Sequence, residues 1–217
     1  FYRSLIMKKQ VLLLIGQLIL LSNMIGLKSQ SVVKPRIKYN FNPGWIFKMG
    51  DDSLAMKTQM DEKGWKSISL PHAFNEDDAF KKPIQDLGTG ICWYRKHFKL
   101  DPSQKGKKVF LEFEGIRQAG NFYLNGQPIG ISENGIMAFG FDISKAVLFD
   151  ADNVLAVRID NSWNYHEIAT RSGFQWNDKN FYANYGGINK NAYLHITEKI
   201  YQTLPLYSSF KTTGVYV

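Results

Sequence analysis

The carboxylates are the first residues whose chemistry has to be weighed. Two carboxyl groups act on a bond as acid and base, or as acid and nucleophile, only when they face each other across it. Glu112 and Glu114 fall on one face of an expected strand, about 7 Å apart by the two-residue repeat. One strand cannot set them on opposite sides of a substrate, so they read as a solvated outer face. Glu76, Asp77 and Asp78 make an acidic run in a loop and read as surface charge. His72, His97, His166 and His195 show no metal-ligand spacing: two fall in expected strands, one follows a proline and one lies in an irregular loop. The densest set of ligand-holding side chains is in 161–191, where Trp163, Tyr165, Trp176, Phe181, Tyr182 and Tyr185 stand among Asn and Gly with no clean period. A long irregular stretch inside a compact domain is usually functional or disordered, and so many aromatics argue against disorder.

The framework that positions these residues is limited by length and composition. A chain of 217 residues suffices for one domain with a sizeable core, or for that domain and the beginning of a second. The formal charge of +8 is unevenly spread, since residues 1–30 hold Arg3, Lys8, Lys9 and Lys28 and no acid. The remainder is nearly balanced, with no basic run longer than Lys81-Lys82 or Lys107-Lys108, so nucleic-acid binding is not implied. Met7-Lys8-Lys9 followed by the apolar Val11 to Leu21 predicts a secretory signal. At about eleven residues that apolar run is short for a membrane span, although an uncleaved anchor is the alternative. Phe1 to Ile6 precede the methionine and suggest an upstream start or a translated frame; cleavage is expected between Gly26 and Gln30. Cys92 is the only cysteine, which leaves no lipobox and no intrachain disulfide. The expectation is a periplasmic or secreted protein whose fold rests on its core.

Beyond a polar connector at 31–42 the chain keeps a β rhythm. Lys108 to Glu114 alternates, with Val109, Leu111 and Phe113 on one side. Ala119 to Leu124 runs into Asn125-Gly126 and then Pro128 to Ile131, a hairpin signal because a type I′ turn needs positive φ at both central positions. Phe139 and Phe141 precede a turn, Val154 to Ile159 is apolar on both faces like a central strand, and Ala192 to Thr197 is the last strong strand. Short strands with turn signals every eight to twelve residues, roughly, predict an all-β antiparallel sandwich or jelly roll.

Several phrases then stand in a familiar order. Trp65 to His72 resembles "W-x-x-I-x-L-P-H", and Gly90 to Lys96 resembles "G-x-x-W-Y-R-K". Phe113-Glu114-Gly115 with Leu124-Asn125-Gly126 and Gly130 resembles "F-E-G … L-N-G-x-x-x-G", with Phe139-x-Phe141-Asp142-Ile143 after it. Asn153 to Arg158 resembles "N-x-L-A-V-R", and Tyr185-Gly186-Gly187-Ile188 resembles "Y-G-G-I". Together they resemble the N-terminal sugar-binding domain of family 2 glycoside hydrolases of the β-galactosidase and β-glucuronidase type, over roughly Trp45 to Thr197.

The resemblance implies a galactose-binding-domain-like jelly roll at 31–199, after a signal in 1–30 and before a truncated immunoglobulin-like domain in 200–217. It implies a fragment of a longer glycosidase whose two catalytic glutamates lie on a barrel; such a barrel alone takes about 250 residues, so no catalytic residue and no turnover are expected here. It implies no cofactor, a carbohydrate substrate, the missing barrel and immunoglobulin-like domains as partners, and leaves a homo-oligomer of the whole enzyme open. The family's first domain lends polar contacts to the terminal sugar from just before "Y-G-G-I". Asp178 or Asn180 is the counterpart, with Trp176 and Tyr182 as aromatic faces, a set that suits sugar hydroxyls and the apolar face of the ring. A second family contact, an asparagine, is replaced by Leu87-Gly88 with Asp86 just before, which weakens the expectation of strict galactose recognition. The alternatives are a free-standing carbohydrate-binding module stacking sugars on Trp163, Trp176 and Tyr182, and an interaction sandwich without a ligand.

Overall fold

Strands form where apolar and polar side chains alternate, and they end at glycine, asparagine and proline turns. The computed structural model describes residues 36–173 and 185–203, all within one compact unit, Pro35–Val217. In chain order the strands are β1 (Arg36–Asn40), β2 (Trp45–Met49), β3 (Lys66–Ile68), β4 (His72–Ala73), β5 (Ile91–Phe98) and β6 (Lys108–Phe113). They continue with β7 (Ala119–Leu124), β8 (Gln127–Ser132), β9 (Phe139–Asp142), β10 (Asn153–Asp160), β11 (Gly187–Ile188) and β12 (Ala192–Thr197). The larger sheet has the order β3-β2-β5-β10-β7-β8, the smaller β1-β12-β6-β9, and β4 with β11 makes a separate two-stranded ladder. All pairs are antiparallel.

The two sheets bury their facing sides together. Trp45, Tyr94, Phe122, Leu155, Val157 and Ile159 of the larger sheet join Val109, Leu111, Phe113, Leu194 and Ile196 of the smaller in one apolar cluster. Phe113, Phe122 and Phe139 interlock at its centre, with ring centroids 5.1 to 5.5 Å apart. β10 lies between β5 and β7, as its two apolar faces require. The β7–β8 turn has Asn125 at φ 53° and Gly126 at φ 80°, the left-handed pair that its Asn-Gly composition predicts. The Asn125 side chain then accepts from Val154 N at 2.9 Å and donates to Asn153 Oδ1 at 2.9 Å. The asparagine that opens the "N-x-L-A-V-R" phrase is thus a buried amide fastening the hairpin to the central strand.

Two expectations need correction. The supposed connector contains β1, which pairs with β12 over five residues; its alternation is too short and too polar to announce a strand without its partner. Glu112 is buried, at 5 % exposure, where a solvated face was expected. β6 is an interior strand, and His195 of β12 lies beside it and hydrogen-bonds the Glu112 carboxylate through Nε2, while Lys38 Nζ stands 3.7 Å away. A carboxylate leaves water when such partners replace its hydration. Glu114 falls past the end of β6 and accepts from Asn191 Nδ2 at 2.7 Å.

The outer face of the larger sheet is covered by the segment 50–65. Ala55 packs with Trp93 and Ala156, and Met56, Met60, Trp65 and Tyr123 close around them. Arg158 makes a two-pronged ion pair with Asp51, at 2.9 and 2.7 Å. That guanidinium holds the Asp51 carboxyl below the usual carboxylate range, against the opposing effect of burial. Nearby, Glu62 Oε1 accepts from Arg95 Nε at 2.7 Å and meets His97 Nε2 at 2.9 Å, while Asp152 takes His97 Nδ1 at 2.5 Å. Burial pushes the His97 imidazole down, but the hydrogen bonds to Asp152 and Glu62 outweigh it and hold the pKa above its usual 6.5. A histidine raised on folding stabilises in full below that usual value and loses the contribution as pH climbs through the folded-state pKa. We expect denaturation midpoints to fall across this window, by about 0.2 to 1 kcal/mol given the exposure of the ring, and expect His97→Gln to flatten the change. Equal slopes in the two proteins would refute the assignment.

Candidate functional site

The described part of the site is built on the short β4–β11 ladder. Ala73 pairs with Gly187 and His72 with Ile188, which places the "L-P-H" phrase against the "Y-G-G-I" phrase. Phe74 N donates to Gly186 O at 2.9 Å, and Gly187 exchanges both backbone hydrogen bonds with Arg117, at 2.8 and 2.7 Å. Asn75, 3 % exposed, accepts from Gly186 N at 3.0 Å and donates to Gly88 O at 2.7 Å. One buried amide therefore fixes the glycine turn to the loop that leads into β5.

Glycine is required at both central positions of that turn. A Cβ on Gly186 would sit 2.3 Å from a Phe74 ring carbon and 2.4 Å from Asn161 Nδ2. At Gly187, with φ +128°, it would sit 2.3 Å from Tyr94 Oη and 2.7 Å from His72 O. Behind the turn Tyr94 Oη meets His72 Nδ1 at 2.8 Å, and the His72 ring packs on Phe47 at 4.8 Å between centroids. Burial, then Lys66, push His72 below its usual pKa, and Glu76 opposes them only in part, so the ring is neutral near pH 7. Its Nδ1 is engaged by Tyr94.

In front of the ladder lies a half-open cavity of about 420 Å³. Pro71, His72 and Ala73 form one side; Glu76, Ala79 and Phe80 come from the following loop; Tyr185 and Asn189 flank β11. Asn189 Nδ2 donates to Tyr185 O at 3.3 Å, whereas Asn189 Oδ1 is buried with no hydrogen-bond partner among the described residues. Phe80 is 97 % exposed. Among the described residues Glu76 is the only carboxylate on the lining. Among the described residues no group of three or more His, Cys, Asp or Glu is placed to hold a metal ion.

The residues expected from the sequence are only partly within view. Asp178, Asn180, Trp176 and Tyr182 lie outside the described residues. Asp86 is exposed, in a 3₁₀ turn at Ile84–Asp86, and is not part of the cavity lining. Sequence reasoning did not single out Phe80 and Asn189, which line the cavity, while Glu76, read as surface charge, is exposed and lines it too. The available signal was the pair of phrases around His72 and Tyr185, whose flanking residues meet once the two strands pair.

Comparison with known proteins places this geometry. Residues 66–197 match the family described as the glycosyl hydrolase 2 galactose-binding domain-like family. A β-glucuronidase of Formosa agariphila is 37 % identical over 195 residues, and β-galactosidase BoGH2A of Bacteroides ovatus is 34 % identical over 140. The alignments cover 84 % and 62 % of this chain but 19 % and 16 % of those proteins, so the chain spans less than a fifth of their length. Among solved structures, a family 2 β-glucuronidase superposes with a TM-score of 0.75 at 36 % identity, over 84 % of this chain and 20 % of that one. The Bacteroides uniformis β-glucuronidase gives 0.64 at 30 % identity, over 74 % and 18 %. With the sandwich, the paired phrases and the family match in agreement, the chain belongs to the galactose-binding-like domain family of the family 2 glycosyl hydrolases.

Proposed function

We propose that this chain is the sugar-binding N-terminal domain of a longer, secreted glycosidase acting on a β-galactoside or β-glucuronide, and that it shapes the substrate pocket without performing the chemistry. The observation that carries the reading is the inventory of carboxylates around the cavity. Hydrolysis of a glycoside takes a pair facing each other across the bond, and among the described residues Glu76 is the one carboxylate lining this space. Glu112 is occupied by His195 and Glu114 by Asn191. The acid and nucleophile therefore belong to a part of the protein outside these residues. The names of the relatives, glucuronidases and galactosidases, support the substrate class.

In this reading residues 1–30 are the secretory leader, 31–199 the sugar-binding domain and 200–217 the beginning of an immunoglobulin-like domain. Asp178 or Asn180, with Trp176 and Tyr182, reaches the terminal sugar, and Asp86 stands near the second contact. The purified 217-residue chain is expected to release no nitrophenol from nitrophenyl β-galactoside or β-glucuronide. Turnover above the buffer rate, abolished by substituting Glu76, would overturn the reading.

A further inference from the structure

Asparagine followed by glycine is a chemically fragile pair, because glycine carries no side chain to hinder attack by its backbone nitrogen on the asparagine amide. The pair occurs twice in this chain, as Asn125-Gly126 and Asn134-Gly135, and the fold treats the two side chains differently. Asn134 is exposed, and among the described residues only its oxygen is engaged, accepting from Ile136 N at 3.0 Å and Met137 N at 2.9 Å. Asn125 is engaged at both ends. Its Oδ1 accepts from Val154 N at 2.9 Å, while its Nδ2 donates to Asn153 Oδ1 at 2.9 Å and to Ala146 O at 3.1 Å. Asn153 cannot turn over to suit a changed neighbour: it is fully buried, and its amide accepts from Leu148 N at 2.8 Å and donates to Leu148 O at 2.8 Å.

We propose that Asn125-Gly126 is a modification site that folding shields, and that its reaction in an unfolded chain bars that chain from returning to the native state. In the reaction Gly126 N bonds to Asn125 Cγ, the Cγ–Nδ2 bond breaks, and Nδ2 leaves as ammonia with the proton that Gly126 gives up. Water then opens the succinimide at one carbonyl or the other, leaving aspartate or isoaspartate, and is the one reactant consumed. In the folded domain this closure takes Nδ2 away from two acceptors and Oδ1 away from Val154, so the rate follows the small population in which the hairpin is open. Each product is then excluded for its own reason. Aspartate offers acceptors only, so it turns an oxygen towards Asn153 Oδ1 and Ala146 O and strands the buried acceptors that Nδ2 had satisfied. Isoaspartate lengthens the main chain between residues 125 and 126 by one methylene, which the two-residue turn that sets the β7–β8 register does not tolerate. At Asn134 an aspartate keeps both accepted hydrogen bonds, so the same conversion is harmless there. The inference is independent of the sugar-binding reading.

The test holds the 217-residue chain in mildly alkaline buffer, folded or in denaturing urea, and follows conversion at each asparagine by fragmentation mass spectrometry. At Asn125 the folded chain is expected to convert at least about tenfold more slowly than the unfolded one. Dilution from urea after increasing times tests the second half: the fraction that regains native circular dichroism falls in step with conversion at Asn125, and does so equally in a chain carrying Asn134→Asp. Asn134→Asp alone leaves the urea midpoint unchanged, whereas Asn125→Asp lowers it or prevents folding. The same wait in weakly acidic urea, where closure of the succinimide is slow, leaves refolding intact. Equal rates at Asn125 in the two states, full refolding of chains converted there, an unchanged midpoint in Asn125→Asp, or an equal loss of refolding in weak acid overturns the proposal.

Discussion

Gly187→Ala destabilises the domain by about 3 to 5 kcal/mol, enough to remove much of the 5 to 15 kcal/mol available to a typical fold. Two costs combine. Holding a non-glycine residue at φ +128° costs about 1 to 3 kcal/mol, and the new methyl must displace Tyr94 Oη and the His72 carbonyl from 2.3 and 2.7 Å, an overpacking cost of similar size. Neither neighbour can move easily: Tyr94 is buried among Trp45, Phe47 and His72, and the His72 carbonyl belongs to β4. Gly173→Ala is the control, since nothing lies within 4 Å of its Cβ position, and it should change stability by less than about 0.5 kcal/mol. Urea denaturation of the two variants measures the difference. Comparable midpoints would mean that Gly187 is not held against Tyr94 and the His72 carbonyl.

The second large effect is expected at Arg95, a fully buried guanidinium. It donates to the carbonyls of Ala55 at 2.5 Å, Lys57 at 2.8 Å and Thr58 at 3.4 Å, and to Glu62. A single planar fork thus satisfies three backbone acceptors of the covering segment and one carboxylate. Arg95→Met keeps the apolar stem and strands these acceptors, at a cost of about 3 to 5 kcal/mol. Glu62→Gln keeps an acceptor for the guanidinium and should cost only about 1 kcal/mol. Hydrogen exchange separates local from global damage: in Arg95→Met the amides of 55–60 exchange faster than those of β10. If both variants lose the same small amount, the arginine does not organise this segment.

How far the fold was legible depended on how local its causes are. The Asn125-Gly126 hairpin was readable because two adjacent residues dictate their own dihedral angles, and the strands flanking it followed. β10 was readable as a central strand because apolar side chains on both faces suit only an interior position. β1 was hidden, since five polar-leaning residues acquire strand character only when β12 supplies their hydrogen bonds. The burial of Glu112 was hidden for a related reason: the alternation places it away from Val109 and Leu111, but only the neighbouring strand reveals that His195 awaits it there. β4 and β11 have two residues each, which is too short for any period. The cavity they frame could be approached only through motif phrases, and Phe80 and Asn189 lie just outside those phrases.

Because Asn75 and Gly186, 111 residues apart, hold the two walls of the cavity together, the cavity exists only after nearly the whole chain has found its topology. An unfolded or half-folded molecule presents no trace of it. A ligand seated between those walls would therefore act as a tether across the domain, raising global stability by about 1.4 kcal/mol at ten times its dissociation constant. Melting temperature then becomes a sensor of occupancy, and a library of glycosides can be ranked by the thermal shift each produces.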